Sequence, residues 1–388
     1  MRTTTRATGL TTAALAAVLG VLPACGNPQK DGMRVDNIAN GPDGSLVLFT
    51  VAGIYVFDGL LLAQWNHITL DALGVPPLNS AGDDGNAGVL RFSLSADGST
   101  AAVSFSPVTV QANTRIALYR MPGGDLLNMF EVAVDPQSPV YVETQALSPD
   151  GSLLCALAGI FNGTTTMMML DTATGATLWT RTGPQAFPVW SPDGATLFAA
   201  TETNGTTDST VEALDARSGT LKWSTDLSNN HVEGLAVVGD GTLVAGAVEP
   251  PDSGGGKAGD WPPFYPFWSA ADGAPAMQVA SVPHTWFYGT YPVGYANFAC
   301  NGTDTCAAGL NEWNDPERSN FIHVYKPDGT VLLNLPTPVG KAIDDMAISA
   351  DGNFITIANP YDLGGGATVY SAVDGRKINS QIFPLDAL

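Results

Sequence analysis

Short apolar runs alternate with glycine-containing turns along most of the chain. "SLVLFTV", "SLLCALAG", "ATLFAATE" and "NFITIANP" each follow a turn, and strand-like residues precede it. Asp-Gly pairs mark these turns at Asp43, Asp97, Asp150, Asp193, Asp240 and Asp351. Such a pair suits a tight two-residue hairpin in which both turn positions tolerate positive φ. A second series interleaves with the first: "FDG" at Phe57, "MPGG" at Met121, "TATG" at Thr172, "ARSG" at Ala216, "ADG" at Ala271, "PDG" at Pro327 and "VDG" at Val373. One turn of each series with its flanks encodes four short strands in roughly 50 residues, the period of a propeller blade.

The pattern therefore predicts an all-β fold, a seven-bladed β-propeller of four-stranded antiparallel blades. The blades fall approximately at 35–66, 86–134, 140–182, 185–226, 231–282, 284–336 and 341–386. Blade six lacks the first Asp-Gly pair, so its inner hairpin is the least marked.

Four segments share a finer pattern: "VDNIANGPDG" from Val35, "VETQALSPDG" from Val142, "VEGLAVVGDG" from Val232 and "IDDMAISADG" from Ile343. Asp36, Glu143, Glu233 and Asp344 each stand seven residues before the aspartate of the first turn. That offset predicts positions near the start of an innermost strand, close to the axis. Leu90 and Ala186 occupy the offset in blades two and four, so the ring is incomplete, and Arg91 offers a counter-charge. Hard cations such as Ca²⁺ take six to eight oxygen ligands, and the four acids are the candidate metal ligands. The competing expectation is that they bond to backbone of adjacent blades or stay hydrated.

Composition agrees with a turn-rich β fold: of 388 residues, 43 are Gly and 27 Pro, and only 14% are charged. The net charge of −21 opposes phosphate backbones and anionic lipid heads, which argues against nucleic acid as a partner. Metal ions, cationic peptides and neutral sugars remain.

The first residues, "MRTTTRATGLTTAALAAVLGVLPACG", place Arg2 and Arg6 before an apolar run from Leu10 to Leu22 and small residues before Cys25. This is the layout of an export signal over 1–24, too short for a comfortable membrane span. "LPAC" resembles the bacterial lipobox, which implies cleavage before a lipidated Cys25 and a short tether over 25–34. Gly26 after that cysteine implies the outer membrane in a Gram-negative cell, facing the periplasm or the surface. Each acyl methylene contributes ~0.8 kcal/mol to membrane partition. A plain secretory signal is the competing expectation. About eight residues separate Cys25 from the first strand, a reach of roughly 28 Å at ~3.5 Å per residue.

In an exported protein, Cys300 and Cys306 around "NGTDT" are expected to pair as a disulfide. Cys155 inside "SLLCALAG" is expected to be buried and inert. Trp261, Trp286, Tyr288 and Trp313 lie in or beside long loops, where flat rings stack on sugars, cover a peptide or anchor the loop itself. Phe267 and Trp268 are expected in the core.

"LSPDGSLLCALAG" and "WSPDGATLFAATE" resemble YVTN and WD-like propeller repeats. "LDTATGATLW" and "LDARSGTLKW" resemble the PQQ-like, quinoprotein-dehydrogenase-like blade motif of bacterial propellers. The resemblance implies that Trp179 and Trp223 pack between neighbouring blades. It bears on fold, because propellers host unrelated activities.

His67, His231, His284 and His323 show no paired metal-ligand spacing, no CxxCH marks haem, and no GxSxG marks a nucleophile. PQQ would need a cationic and aromatic cage that the sequence does not supply. These readings assign no catalytic residue and no cofactor beyond candidate Ca²⁺. They favour a lipid-anchored, non-enzymatic binding or scaffold protein of the cell envelope for a protein, peptide or glycan. The alternative is a metal-dependent hydrolase of lactonase type using the axial carboxylates, with His231 and Glu233 on one strand face.

Overall fold

The computed structural model describes residues 35–41, 44–50, 53–58, 64–69, 90–105, 114–132, 140–160, 165–183, 185–202, 209–228, 230–238, 240–249, 264–280, 294–301, 304–311, 321–336, 345–358 and 366–381. They form seven four-stranded antiparallel sheets, each from one contiguous segment. Blade one is β1 (Val35–Asn40), β2 (Ser45–Thr50), β3 (Gly53–Asp58) and β4 (Gln64–Thr69); blade two is β5 (Leu90–Leu94), β6 (Thr100–Phe105), β7 (Thr114–Arg120) and β8 (Asp125–Val132). Blade three is β9 (Val140–Leu147), β10 (Leu153–Ile160), β11 (Thr166–Asp171) and β12 (Thr177–Thr182); blade four is β13 (Gln185–Trp190), β14 (Thr196–Glu202), β15 (Ser209–Asp215) and β16 (Leu221–Leu227). Blade five is β17 (His231–Val238), β18 (Leu243–Glu249), β19 (Phe264–Ser269) and β20 (Pro275–Ala280). Blade six is β21 (Gly294–Cys300), β22 (Cys306–Asn311), β23 (Phe321–Tyr325) and β24 (Val331–Pro336); blade seven is β25 (Met346–Ile348), β26 (Phe354–Ala358), β27 (Ala367–Ser371) and β28 (Lys377–Gln381).

The first strands of successive blades touch one another and form the inner ring. Second and third strands are packed between two neighbouring blades, so they read as continuous apolar runs instead of alternating ones. Every described side chain of β10 is buried, including the free Cys155, whose thiol burial pushes well above its usual pKa. Outer strands keep the alternation, as in β12 and β16. Phe267 and Trp268 lie in the core between blades four, five and six.

The first-series turns depart from the two-residue hairpin. Among the described aspartates of this series, only Asp240 has positive φ (55°). In blades two, three, four and seven a serine two residues before the aspartate closes a longer link. Ser95 Oγ donates to Asp97 Oδ1 at 2.6 Å and accepts from the Thr100 amide at 3.0 Å, while Gly98 N donates to Ser95 O at 2.9 Å. Ser148–Asp150, Ser191–Asp193 and Ser349–Asp351 repeat this pairing. The serine hydroxyl holds the aspartate in an ordinary turn conformation and leaves the positive φ to the glycine.

Blade six reaches the same end differently. Cys300 and Cys306 face each other across the β21–β22 hairpin and are joined as a disulfide, and Asn301 Oδ1 accepts the amides of Asp304 and Thr305 at 3.0 and 2.8 Å.

Neighbouring blades interlock at their outer turns. The Trp179 indole donates to Ala216 O at 2.9 Å and covers Gly219, where an added Cβ would come within 2.8 Å of the ring. Trp223 donates to Ala270 O at 3.0 Å and lies 2.5 Å from where a Cβ on Gly273 would stand. Ile68, Phe130 and Leu335 make the corresponding approach to Gly124, Gly175 and Gly375. Trp179 and Trp223 are thus two instances of a contact that recurs around the ring.

Blade seven meets blade one through a cluster in which Ile38, Leu46, Leu48, Tyr55 and Phe57 receive Ala347, Ala358, Ala367 and Val369. Among the described residues no sheet combines strands from both ends of the chain.

Candidate functional site

Because all pairings within a blade are antiparallel neighbours, the first and third turns of every blade lie on one face. The connections between second and third strands, and between blades, lie on the other. The tight-turn face binds its own carboxylates. Hydrogen bonds from Ser95, Ser191 and Ser349, followed by a backbone amide, hold the carboxyls of Asp97, Asp193 and Asp351 below the usual carboxylate range. Thr174 and Ser218 do the same for Asp171 and Asp215 in the outer turns. Aspartates so engaged complete the backbone of their turns.

The opposite end of the inner ring is different. In β1 the register shifts between Val35 and Asn37, in β9 between Val142 and Thr144, and in β17 between Val232 and Gly234. Asp36, Glu143 and Glu233 are therefore each the extra residue of a β-bulge in an innermost strand. A bulge leaves its extra residue outside the ladder and re-aims its side chain, and bulges gather beside functional sites. This gives a physical reason for a carboxylate at one repeated offset in a ring that is otherwise packed. β5, with Leu90 at that offset, runs without a register shift. β21 has a shift at Ala296, so the bulge does not require an acid.

Glu143 is half-buried, and its Oε2 accepts from Thr165 Oγ1 at 3.5 Å. Arg91 Nε donates to the Glu143 backbone carbonyl from blade two. The guanidinium thus stands at this bulge, where its charge opposes a divalent cation. For Asp36 and Glu233 the backbone alone is described, and Asp344 lies outside the described residues. So do Trp261, Trp286, Tyr288, Trp313, His284 and the whole of 1–34, including Cys25. Among the described residues no group of three or more His, Cys, Asp or Glu side chains is disposed to hold a metal ion. No described helix is long and apolar enough to cross a membrane.

The register shift at Glu233 falls two residues after His231, and of Glu233 only the backbone is described. His323 is buried in β23.

Asp345 was not singled out by the repeat, which points to its neighbour Asp344. Its Oδ2 accepts the Ile38 amide of β1 at 2.7 Å, its Oδ1 accepts the Met346 amide at 2.8 Å, and its carbonyl accepts Ala358 N at 2.8 Å. It connects the last blade to the first. The doubled acid in "IDDMAISADG" is the signal that would have revealed it. Arg181 and Glu212 form a second cross-blade contact, a 2.7 Å ion pair in which Glu212 is buried and also accepts Thr201 Oγ1 at 3.0 Å.

No family model matches the sequence, and no curated protein matches it. Solved structures do. Kuenenia stuttgartiensis hydrazine synthase aligns over 92% of this chain and 100% of its own at 14% identity, with a TM-score of 0.61. The WD40 repeats of RRP9 align over 91% and 94% at 14% identity with a TM-score of 0.56. The Cps50 (Swd1) β-propeller domain of Myceliophteria thermophila aligns over 84% and 93% at 14% identity with a TM-score of 0.54. Likeness at this identity carries the propeller fold and nothing of its chemistry.

Proposed function

We propose that the protein is a lipid-anchored propeller scaffold of the cell envelope that binds a protein, peptide or glycan on its long-loop face. The division of the two faces carries this reading. The tight turns spend their polar groups on their own backbone, while the long connections and the bulged acids share the other end. Long loops on a rigid ring are where binding residues concentrate. WD40-like neighbours support a general role in protein interaction. In this reading Trp261, Trp286, Tyr288 and Trp313 supply flat contact surface, and a lipidated Cys25 with its short tether keeps the body near the outer membrane.

The test is capture of partners from native envelope by the lipidated protein, with Trp261→Ala and Trp286→Ala variants alongside. A stoichiometric partner lost in either variant supports the reading. A partner retained by both variants removes the aromatic surface from it.

The bulges also favour one second reading, a metal-dependent hydrolase of lactonase type. Turnover on a lactone panel that disappears with EDTA and with Glu233→Gln would select it. The absence of any melting-point rise at millimolar Ca²⁺ would discard metal binding, since a ligand specific to the folded state must raise it.

A further inference from the structure

Blades two and three meet near the axis through polar side chains. Ala102 packs on the apolar side of blade three, in a cluster with Leu154, Ala156 and Met168, so the face of β6 that carries Ala102 and Ser104 looks toward that blade. Ser93 is the cross-strand partner of Ala102, and Arg91 that of Ser104, so all four share one face. Gln145 answers from β9, where it pairs with Ala156 and faces blade two. Its Nε2 donates to Ala102 O at 2.8 Å and to Arg91 O at 3.2 Å, which occupies both amide protons and fixes the orientation of the side chain.

Three atoms at this seam have no hydrogen-bond partner in the protein: Gln145 Oε1, Ser93 Oγ and Ser104 Oγ, all sealed from solvent. Ser104 is 0% exposed and Gln145 7%. Leaving such groups unsatisfied forfeits the hydrogen bonds they make to water in the unfolded chain. A buried polar atom in a folded protein is as a rule paired with protein or with ordered water. At the next junction the Trp190 indole donates to Ala146 O at 3.0 Å, a cross-blade bond to backbone like those of Gln145 Nε2.

The set has a definite chemistry. Gln145 Oε1 only accepts, so its partner must donate. The two hydroxyls can each donate or accept. A water molecule complements such a set, and buried waters typically make about three hydrogen bonds. An anion would meet the carbonyl oxygen. A monovalent cation would meet Arg91, whose side chain lies on the same face with Nε on the Glu143 carbonyl.

We propose that blades two and three enclose a long-lived structural water held by Ser93 Oγ, Ser104 Oγ and Gln145 Oε1. It completes the inner part of this junction, and it leaves only when the two blades part. Its residence time therefore reports the opening of the ring at one place.

The test joins a crystal structure that resolves solvent with water-oxygen magnetic relaxation dispersion on the whole protein. The expected result is a water within hydrogen-bond distance of the three atoms, and loss of one long-lived water in Ser104→Val, whose larger side chain fills the space. Ser104→Ala removes one partner at little cost to packing, and is expected to shorten the residence about tenfold, the equivalent of one hydrogen bond. If Ser104→Val fails to fold, Ser104→Ala decides. A dry seam with both hydroxyls turned onto backbone carbonyls would overturn the proposal. So would unchanged dispersion in both variants. So would a cation at Gln145 Oε1, recognised by metal–oxygen distances and by melting points that differ between sodium and potassium chloride.

Discussion

Trp179 and Trp223 fasten blade three to four and four to five by contacts between residues 37 and 47 apart in sequence, whereas the Ile38–Asp345 contact that joins blade one to seven spans 307. Loop-closure entropy grows with the logarithm of that span, so the closing contact starts at a disadvantage of about 2 kcal/mol. The side chains differ accordingly. The tryptophan junctions combine a large ring, an indole hydrogen bond and a glycine that admits the ring. Among the described residues, the closing junction sets Ala347, Ala358, Ala367, Val369 and the half-buried Phe354 of blade seven against blade one, with one carboxylate beside them. The comparison teaches that sequence separation predicts a weaker seam where the ring closes, and that a carboxylate, Asp345, crosses that seam where an indole crosses the two tryptophan junctions.

The largest expected effect is at a firm seam. Trp223→Ala should cost about 4 kcal/mol in urea unfolding, as for other buried tryptophans, and half-exposed Trp179→Ala should cost less. A loss below about 1 kcal/mol at Trp223 would mean that the seams do not depend on their rings. Next, Asp345→Ala should cost about 2–3 kcal/mol, because two backbone amides lose a charged acceptor. Selective loss of amide protection at Ile38 would locate the effect at the closing junction.

Replacing Cys300 and Cys306 by serine should cost about 2 kcal/mol from the short loop that the disulfide closes. The blade-seven turn at Gly352 packs on Asn301 and Thr305 of that loop, so the perturbation should reach blade seven and sensitise ring closure. An effect confined to blade six would separate the two.

The smallest effect per residue comes from the turn carboxylates. Asp97, Asp193 and Asp351 have folded pKa values below the ordinary carboxylate value of about 3.9, so their contribution is complete above that pH. It is lost as pH falls further, through the depressed folded values. Melting temperature followed from neutral pH to pH 3 should drop more steeply than in the Ser95→Ala/Ser191→Ala/Ser349→Ala variant, which lacks the serine hydroxyl that donates to each carboxylate.

Much of the fold was legible because turns are local. Gly98, Gly151, Gly194 and Gly352 mark inner hairpins wherever they occur, and the second series marks the outer ones. The turn geometry was less legible, because the Ser–Asp link that sets it is a side-chain contact two residues long. Blade six was faint because a disulfide and Asn301 replace the Asp-Gly signal. The repeated carboxylate offset was visible in Asp36, Glu143 and Glu233. Its meaning as a bulge was not, since a bulge belongs to the register of two strands and not to either alone. Asp345 was hidden for the same reason: its partner amide lies at the far end of the chain.

Native-state hydrogen exchange at the Ile38 amide, against the amides of Val211 and Ala213 in β15, tests the closure by Asp345 most directly. The account predicts that Ile38 exchanges through a partial opening of lower free energy than β15, and that Asp345→Ala accelerates Ile38 while β15 follows global stability. Equal exchange free energies at the two places, unchanged relative to one another in the variant, would contradict it.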